Sequence, residues 1–563
     1  MSALIDDDLD QLRERLLAAG WPASPNGRGL YARCPACGEQ TVLVERVERG
    51  TPRVATRCAA GCSIHSTQLG LAALVDLKAA EMYPTPRWQY AGDDPAATVF
   101  AAMRPQSAET DVGNAQRFAL DWGGDELRHV AGSWYVWDGR RHRRDDDGAA
   151  MRRAVTTARL IVEESKPLRE TAEALAGAAG DGDAKAEAKK AAKTADRRLT
   201  WAMTSQAAPR LKACLEIART DPRLIASTDD LDSDPWALCV GTGILDLRTG
   251  ELRPHSRAEL HTRLVPIAYE PDATCPRFEQ FLATVMQGDA ELIAWLQKAV
   301  GYTITGDTRE QALLVLHGDG ANGKSTLLNV LVGMLGEHAV TADSRTFTLA
   351  GADRAARSDL ARLRGRRLVV ASEVPRGSQL DEDLVKRITG GERITARFNR
   401  MDEFEFTPTF KVWLGVNHLP VVHGDDHAIW RHLRIVPFRH RVEQPDLELG
   451  RRLHAELPGI LAWAIRGCTR WQAEGLGSCG AVDAATDAYR REQDQVARFV
   501  EECCTRDASA TARNADLHNA YTAWANAHEL LVIAPRELGN ALSRLGFATG
   551  KSNGHRVRKG LSL

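Results

Sequence analysis

Residues 311–326 have the sequence Gln311-Ala-Leu-Leu-Val-Leu-His317-Gly318-Asp319-Gly320-Ala321-Asn322-Gly323-Lys324-Ser325-Thr326. The apolar run at 313–316 predicts a short buried strand, and the apolar segment at 327–335 predicts a helix. Between them, residues 318–326 fit the pattern G-x-x-x-x-G-K-[ST]. A strand, a glycine-rich loop and a helix in this order predict a phosphate-binding loop.

The chemistry of this loop follows from its residue types. Glycines allow the backbone to turn so that its N–H groups face a phosphate, and the helix N-terminus adds a positive dipole end. We expect Lys324 to reach the β- and γ-phosphates and Ser325 to bind magnesium. The alternative is a glycine-rich turn that contains Gly-Lys-Ser by chance, which the flanking strand and helix disfavour. The predicted nucleoside triphosphate ligands are Gly318, Asp319, Gly320, Ala321, Asn322, Gly323, Lys324, Ser325 and Thr326.

Two polar side chains follow apolar strands further along the chain. The strand predicted at 368–372 is followed by Glu373, which could orient magnesium or polarise an attacking water. The strand predicted at 410–416 is followed by Asn417, which could hydrogen-bond the γ-phosphate or the water. The alternatives are a solvated acid at Glu373 and a turn-forming asparagine at Asn417.

A pair of arginines, Arg431 and Arg434, follows Trp430. A spacing of three residues predicts that both lie on one helical face. From such a face they could reach the triphosphate of a neighbouring subunit as arginine fingers. The alternative is an ordinary pair of surface arginines.

Composition limits the class of protein. A chain of 563 residues with 44% hydrophobic and 26% charged residues predicts three or four globular domains. The net charge of −2 means that any nucleic-acid-binding surface must be local. No apolar run reaches about 18 residues, and the acidic start at 6–8 disfavours a signal peptide. We therefore expect a soluble intracellular protein with no membrane contact.

Four of the eleven cysteines form two close pairs. An odd number of cysteines in a long chain disfavours a disulfide framework, whereas two knuckles flanking a strand-rich stretch predict a zinc ribbon. The predicted zinc ligands are Cys34, Cys37, Cys58 and Cys62, with His65 as a substitute. The alternative is four reduced structural cysteines. The stretch resembles the zinc-binding module of phage and bacterial DNA primases, but the residues up to 111 leave no room for a polymerising domain.

Two basic segments are candidates for binding DNA. Residues 394–406 predict a hairpin that carries Arg397, Asn399 and Arg400 near its tip, and Lys386 lies on the preceding helix. Three predicted helices over 494–545 are followed by a second basic hairpin with Lys551, Arg556 and Arg558, which is the plan of a winged helix. The alternatives are a plain surface hairpin and a basic tail on a packing domain.

The phosphate loop, the strand-end acid, the strand-end asparagine and the paired arginines, in this order, resemble a superfamily 3 helicase. More narrowly, residues 111–563 resemble the phage and plasmid primase-helicase family, related to the poxvirus replicative helicase. The resemblance implies a hexameric AAA+ ring that moves on single-stranded or forked DNA with ATP and magnesium. It implies that Lys324 binds the triphosphate and Ser325 the metal. It also implies that Glu373 acts on the attacking water and that Asn417 contacts the γ-phosphate. Arg431 and Arg434 would reach across the subunit interface. Relatives carry two adjacent arginines here, and this chain has His432 as the second.

The predicted fold class is multidomain α/β. The predicted domains are a zinc ribbon at 1–83, a linker at 84–110, an α/β helicase-associated domain at 111–276, an AAA+ P-loop ATPase core at 277–440, a helical lid at 441–485 and a winged helix at 486–563. The predicted function is an ATP-dependent DNA helicase in a bacterial host cytoplasm, with host replication proteins as possible partners. The alternatives are an ATP-switched origin-binding initiator and a primase-helicase with residual priming activity.

Overall fold

The computed structural model describes residues 23–26, 29–33, 41–46, 54–58, 104–124, 126–180, 182–349, 358–398, 402–422, 427–444, 446–528, 530, 532–552 and 554–563. The described residues up to Ser233, together with His255–Arg263, form one unit. Asp234–Pro254 and Leu264–Leu563 form the other. Within the described part of the chain, no helix is long and apolar enough to cross a membrane.

The first unit begins with four antiparallel strands in sequential order: β1 (Ala23–Asn26), β2 (Gly29–Arg33), β3 (Thr41–Arg46) and β4 (Val54–Cys58). The strand-rich stretch predicted between the cysteine pairs is thereby confirmed. Cys34, Cys37 and Cys62 lie outside the described residues, as does the side chain of Cys58. The zinc ribbon therefore stays a prediction.

A helical body and a small sheet complete the first unit. Thr110 caps its first helix by accepting a hydrogen bond from the Gly113 N–H. Two long helices follow a three-stranded antiparallel meander, and their facing residues are mostly alanines, which permit close packing. The elements are α1 (Asp111–Trp122), β5 (Leu127–Val130), β6 (Ser133–Trp137), β7 (His142–Arg144), α2 (Ala149–Ala178), α3 (Asp183–Ser205) and α4 (Ala208–Ala218).

Buried charges join α1 to the long helices. The Glu164 carboxylate, with 5% of its side chain exposed, accepts hydrogen bonds from the guanidinium groups of Arg117 and Arg198. Asp121, at the C-terminal end of α1, accepts from Arg104 Nε at 2.8 Å. Because each buried charge has a partner of opposite sign, the desolvation cost of the network is offset.

The centre of the second unit is a five-stranded parallel sheet with the order β12-β13-β16-β11-β17. Its strands are β11 (Leu313–His317), β12 (Ala339–Asp343), β13 (Leu368–Ser372), β16 (Lys411–Val416) and β17 (Leu433–Pro437). The three inner strands, β13, β16 and β11, are largely apolar and buried on both faces because helices cover both sides of a parallel sheet. All five carboxyl ends therefore meet at one edge, which is where a ligand binds in such sheets.

The sheet is packed between two apolar cores. On one face lie α5 (Pro276–Val285), α6 (Ala290–Thr303), α7 (Lys324–Leu335), α11 (Leu449–Ala455), α12 (Leu457–Glu474) and the small sheet of β8 (Ala237–Val240), β9 (Gly243–Asp246) and β10 (Leu252–Arg253). On the other lie α8 (Ser358–Ala361), α9 (Glu382–Gly390), the hairpin of β14 (Ile394–Ala396) and β15 (Phe404–Phe406), and α10 (His427–His432). The helix α13 (Gly480–Gln493) covers β17, since the Thr486 hydroxyl accepts from the Ile435 N–H at 3.1 Å.

The C-terminal part of the second unit has its own core. It consists of α14 (Gln495–Cys503), β18 (Thr505–Arg513), α15 (Asn514–Ala527), α16 (Pro535–Arg544), β19 (Thr549–Ser552) and β20 (His555–Ser562), with the antiparallel order β18-β20-β19. Phe499, Tyr521 and Trp524 form its aromatic centre. The three helices and the final hairpin occupy the predicted positions, whereas strand β18 was not predicted.

The buried Lys411 ties the central sheet to the end of α6. Its ammonium group donates to the carbonyls of Thr305 at 2.5 Å and Asp307 at 3.0 Å, and it lies 4.7 Å from the centre of the Tyr302 ring. Burial lowers the pKa of Lys411 well below its usual value. The carbonyls after a helix have no partners within the helix, so the buried amine of Lys411 satisfies them as a hydrogen-bond donor.

We expect Lys411→Met to lower the free energy of unfolding of the second unit by about 3 kcal/mol, because it leaves buried carbonyls without donors while keeping the side-chain volume. The measurement is a urea unfolding midpoint. Lys386→Met, which removes a half-exposed lysine 3.7 Å from Asp383, should change the free energy by no more than about 0.5 kcal/mol. Equal midpoints for wild type and Lys411→Met would contradict the assignment.

Candidate functional site: a strand-edge phosphate loop

The backbone of the loop between β11 and α7 favours glycine at three positions. Gly320 and Gly323 have φ of 92° and 89°, in the left-handed region that glycine tolerates best. At Gly318, an added Cβ would lie 2.2 Å from the Phe438 carbonyl oxygen. Gly323 precedes α7 without a side-chain cap, so no side chain satisfies the first N–H groups of this helix. Such N–H groups form an anion-binding site.

Lys324 is the first residue of α7, and its ammonium group points back over the loop. It donates to the Gly318 carbonyl at 2.6 Å, to Asn322 Oδ1 at 3.0 Å and to Asn417 Oδ1 at 3.0 Å. Burial lowers the pKa of Lys324, while Asp319 acts in the opposite direction. Asn322 in turn donates to the Phe438 carbonyl at 3.2 Å, so the lysine is held in a fixed network.

The predicted strand-end groups meet at this edge. Asn417 directly follows β16, which pairs with β11, and its side chain contacts Lys324. Glu373 directly follows β13, one strand further away, so that β16 separates it from the phosphate-loop strand. The Glu373 N–H donates to the Gly415 carbonyl at 3.1 Å, its φ is 62°, and its side chain is exposed. Ser325 is also exposed. Hydroxyl and carboxylate oxygens are suitable ligands for magnesium.

A cavity of about 710 Å³ adjoins the loop. One wall is apolar, with Leu419, Ile435 and Tyr489, and Tyr489 donates to the Pro420 carbonyl. Charged and polar side chains, among them Arg441 and Glu492, line the remainder. Sequence reasoning did not identify this cavity, because α13 contributes to it from far along the chain. The wall segments are 317–322, 437–441 and 485–492.

The structure corrects the prediction that Arg431 and Arg434 share a helical face. Arg431 lies on α10, but the helix ends at His432 and Arg434 lies on β17. Arg431 is exposed, and Arg434 is half-buried and donates to the Arg431 carbonyl at 2.7 Å. Both arginines lie where β17 begins, beside Leu313 and Leu314, whereas the phosphate loop follows the opposite end of β11. The five residues of β11 span about 16 Å.

The hairpin predicted at 394–406 is confirmed as β14 and β15. A cavity of about 680 Å³ at its base is lined by both acidic and basic side chains, including Asp383, Lys386 and Arg397. Lys386 and Arg397 are half-buried, and Phe398 is 41% exposed, stacked on Phe404. Asn399 and Arg400 lie outside the described residues.

The predicted DNA-binding residues of the C-terminal hairpin divide into two groups. Lys551 and Arg556 are exposed. Arg558 is buried, with 4% of its surface exposed, and the prediction that it contacts DNA is wrong. Its guanidinium donates to Ser543 Oγ at 2.6 Å and to the Gly539 carbonyl at 2.5 Å, which fixes the hairpin against α16.

Within the described residues, no group of three or more histidine, cysteine or acidic side chains forms a metal site. Magnesium at Ser325 and Glu373 therefore rests on the suitability of these two oxygen donors beside the loop, and it stays a prediction.

The fold and this site define a multidomain α/β protein with a parallel-sheet core and a glycine-rich loop at the carboxyl edge of that sheet. Three family models match: "D5 N terminal like" at 115–287, a family of unknown function (DUF5906) at 316–432, and "Poxvirus D5 protein-like" at 491–557. The chain carries D5-type domains, and these matches fit the superfamily 3 helicase family.

Three curated viral proteins are similar to parts of this chain. The chain is 30% identical over 233 residues to "Putative helicase L207/L206" of Acanthamoeba polyphaga mimivirus, covering 40% of this chain and 24% of the relative. It is 27% identical over 296 residues to "Putative helicase 022R" of Frog virus 3, covering 48% and 30%. It is 25% identical over 328 residues to "Putative primase C962R" of African swine fever virus, covering 53% and 34%. The chain thus spans about a quarter to a third of the length of these relatives.

These relatives come from viruses of eukaryotes and do not support the predicted bacterial host. Among solved structures, the apo structure of the NrS-1 C terminal region is similar with a TM-score of 0.36 and 12% identity. The match covers 62% of this chain and 88% of that one.

Proposed function

We propose that this protein is an ATP-dependent DNA helicase that works as a ring of identical subunits. The observation that carries the proposal is the convergence of Lys324 and Asn417, with their polar atoms 3.0 Å apart, on a glycine loop at the carboxyl edge of a parallel sheet. Glu373 follows a strand at the same edge. Lys324, Asn417 and Glu373 suit a magnesium-bound nucleoside triphosphate. When bound, this ligand would supply the phosphoryl group that is transferred to water.

The chain's own residues would share the work of hydrolysis. The N–H groups of the first turn of α7 and the Lys324 ammonium would stabilise negative charge on the phosphates. Asn417 positions that ammonium and could hold a water. Glu373, exposed at the end of its strand, would accept a proton from water. The adjoining cavity has the size and mixed lining expected for a nucleoside.

The arginine pair supports assembly from several copies. Arg434 pairs with Leu314, four residues before Gly318, so that about 13 Å of strand separates it from the chain's own phosphate loop. Arg431 precedes β17, on α10. Both arginines therefore lie away from their own loop, which favours a role at the loop of another copy. A ring in which each subunit supplies arginine to the next would give them that role.

The test is unwinding of a forked duplex together with DNA-stimulated ATP hydrolysis. We expect ATP to be required for strand separation. If the protein hydrolyses ATP but separates no strands from any fork, the helicase assignment fails and only an ATPase remains.

A second candidate function is an ATP-switched initiator that binds duplex DNA at an origin. The observation that favours it is a stripe on α16, where Arg536, Asn540 and Arg544 are exposed at intervals of four residues. Such a stripe, beside the exposed Lys551 and Arg556, could enter a major groove. Sequence-specific duplex binding without ATP-driven unwinding would favour this alternative. Residual priming would require template-directed incorporation of ribonucleotides.

Under either function, Arg556→Ala and Arg558→Ala should have different effects. Arg556→Ala should weaken duplex DNA binding and reduce the slope of log affinity against log salt by about one, since it removes a phosphate contact. Arg558→Ala should instead lower the free energy of unfolding of the C-terminal part by about 2 kcal/mol, because Arg558 fixes the hairpin. Fluorescence anisotropy and thermal unfolding measure the two effects. Identical salt slopes for Arg556→Ala and wild type would contradict the assignment.

A further inference from the structure

His432, the last residue of α10, lies where three elements of the motor core meet. Its side chain is buried, and Nδ1 lies 2.9 Å from the Gln311 carbonyl oxygen and 2.8 Å from Thr389 Oγ1. On the other edge of the ring, Arg431 Nε lies 3.2 Å from His432 Nε2. Both nitrogens of a buried ring therefore have partners.

These partners determine which nitrogen carries the proton. A carbonyl oxygen can only accept, so the Gln311 contact requires a proton on Nδ1. The Thr389 hydroxyl donates to the Val385 carbonyl at 2.6 Å, which leaves its oxygen as an acceptor toward Nδ1 as well. The guanidinium of Arg431 can only donate, so Nε2 must be an unprotonated acceptor. The geometry thus specifies a neutral histidine with the proton on Nδ1.

Each of the three partners of His432 belongs to a different segment of the second unit. Gln311 lies two residues before β11, the strand that ends in the phosphate loop. Thr389 is near the end of α9, and β14 of the hairpin begins five residues later. Arg431 is the exposed arginine on α10, two residues before β17. His432 is the group that contacts all three.

We propose that His432 is a positioning residue that holds Arg431 for the nucleotide site of an adjacent copy and couples that arginine to the α9–hairpin segment. The inference rests on the proposed function, because it requires hydrolysis at a site shared between copies. A shift of α9 when the hairpin meets DNA would move Thr389, then the imidazole, and then the guanidinium. Misplacement of a reacting group by about 1 Å can cost about 100-fold in rate.

The charged groups that act on the ring are all cations: Arg431 on its own helix, Arg434 on β17 and Lys386 on α9. Burial is the largest cause and lowers the pKa of His432; the hydrogen bond to the Gln311 carbonyl raises it, and the three cations lower it further, so that the net shift is downward. The ring is therefore neutral at neutral pH. Protonation, which occurs below the usual histidine pKa of about 6.5, would put a second donor opposite Arg431 Nε and break that contact.

The first measurement is steady-state ATP hydrolysis with saturating single-stranded DNA. His432→Leu keeps an apolar side chain but removes both hydrogen-bonding edges. We expect kcat to fall by about 100-fold, with little change in KM, because Arg431 acts in the transition state of a site on another copy. His454→Leu, at an exposed position on α11, is the matched control and should retain the wild-type kcat.

The second measurement separates positioning from folding. His432→Gln offers one donor and one acceptor but does not titrate. We expect it to retain substantial DNA-stimulated activity and to lack the loss of kcat that wild type shows as the pH falls below about 6.5. Superposable pH profiles for wild type and His432→Gln would overturn the proposal, as would a wild-type kcat in His432→Leu.

Measuring Lys324→Ala in the same assay separates a wrong role for His432 from a wrong ATPase assignment. If wild type hydrolyses no more ATP than Lys324→Ala, the ATPase assignment itself is wrong. If Lys324 is required but His432→Leu behaves like wild type, only the role of His432 is refuted.

Discussion

Lys324→Ala should reduce DNA-stimulated ATP hydrolysis by at least about 100-fold, because removal of a single preorganised group that stabilises transition-state charge costs about that much. The Lys324 ammonium is held over the loop by Gly318, Asn322 and Asn417. Among the described residues, no other lysine contributes to the hydrogen bonds of the loop. Strand separation should be lost with hydrolysis.

The fold should survive this change. Burial already lowers the pKa of Lys324, which means that its charge is costly to keep at this position. We expect Lys324→Ala to have the circular dichroism spectrum of wild type and to lack ATP hydrolysis. Lys166→Ala removes an exposed lysine paired with Glu163 and is the matched control. Equal rates of hydrolysis for Lys324→Ala and Lys166→Ala would refute the phosphate-loop assignment.

Arg431→Ala should have the second large effect, a loss of about 1,000-fold in kcat, which is the lower range for an arginine that completes a phosphoryl-transfer site. The KM for ATP should change little, since the guanidinium contributes only to the site of another copy and chiefly in the transition state. Arg431 is exposed on α10, just before β17 and away from its own loop, so its removal opens no cavity in the core.

Initial rates at several ATP concentrations measure the effect of Arg431→Ala. Arg451→Ala, which removes an arginine with 78% of its side chain exposed and a surface pair to Glu448, should behave like wild type. Wild-type kcat in Arg431→Ala would show that no arginine finger acts from this position.

Local sequence patterns predicted the elements that carry the site. The apolar run before Gly318 and the glycines around Lys324 determine a strand, a loop and a helix within one short segment. The strands before Glu373 and Asn417 are likewise encoded by continuous apolar runs. Because these strands are parallel, their positions in the chain sufficed to predict that the side chains after them meet at one edge.

Features that depend on packing between distant parts of the chain were not predicted from the sequence. The segment around Arg434 has the spacing of a helix, but pairing with β11 makes it the strand β17. Arg558 belongs to a basic run that predicts a solvated hairpin. In the structure its guanidinium is buried and donates to the Gly539 carbonyl on α16. The strand order that inserts β16 between Glu373 and the phosphate loop is also a tertiary property. In each case distant partners override a local pattern.

The most direct test of the account is to mix two inactive variants, Lys324→Ala and Arg431→Ala, and to measure DNA-stimulated ATP hydrolysis as their ratio is varied. Each variant lacks a different half of a site formed between copies, so mixed assemblies contain some sites with both Lys324 and Arg431. The account predicts that activity reappears in the mixture and is greatest at intermediate ratios. Activity that stays at the background of the two variants at every ratio, in assemblies shown to exchange subunits, would contradict it.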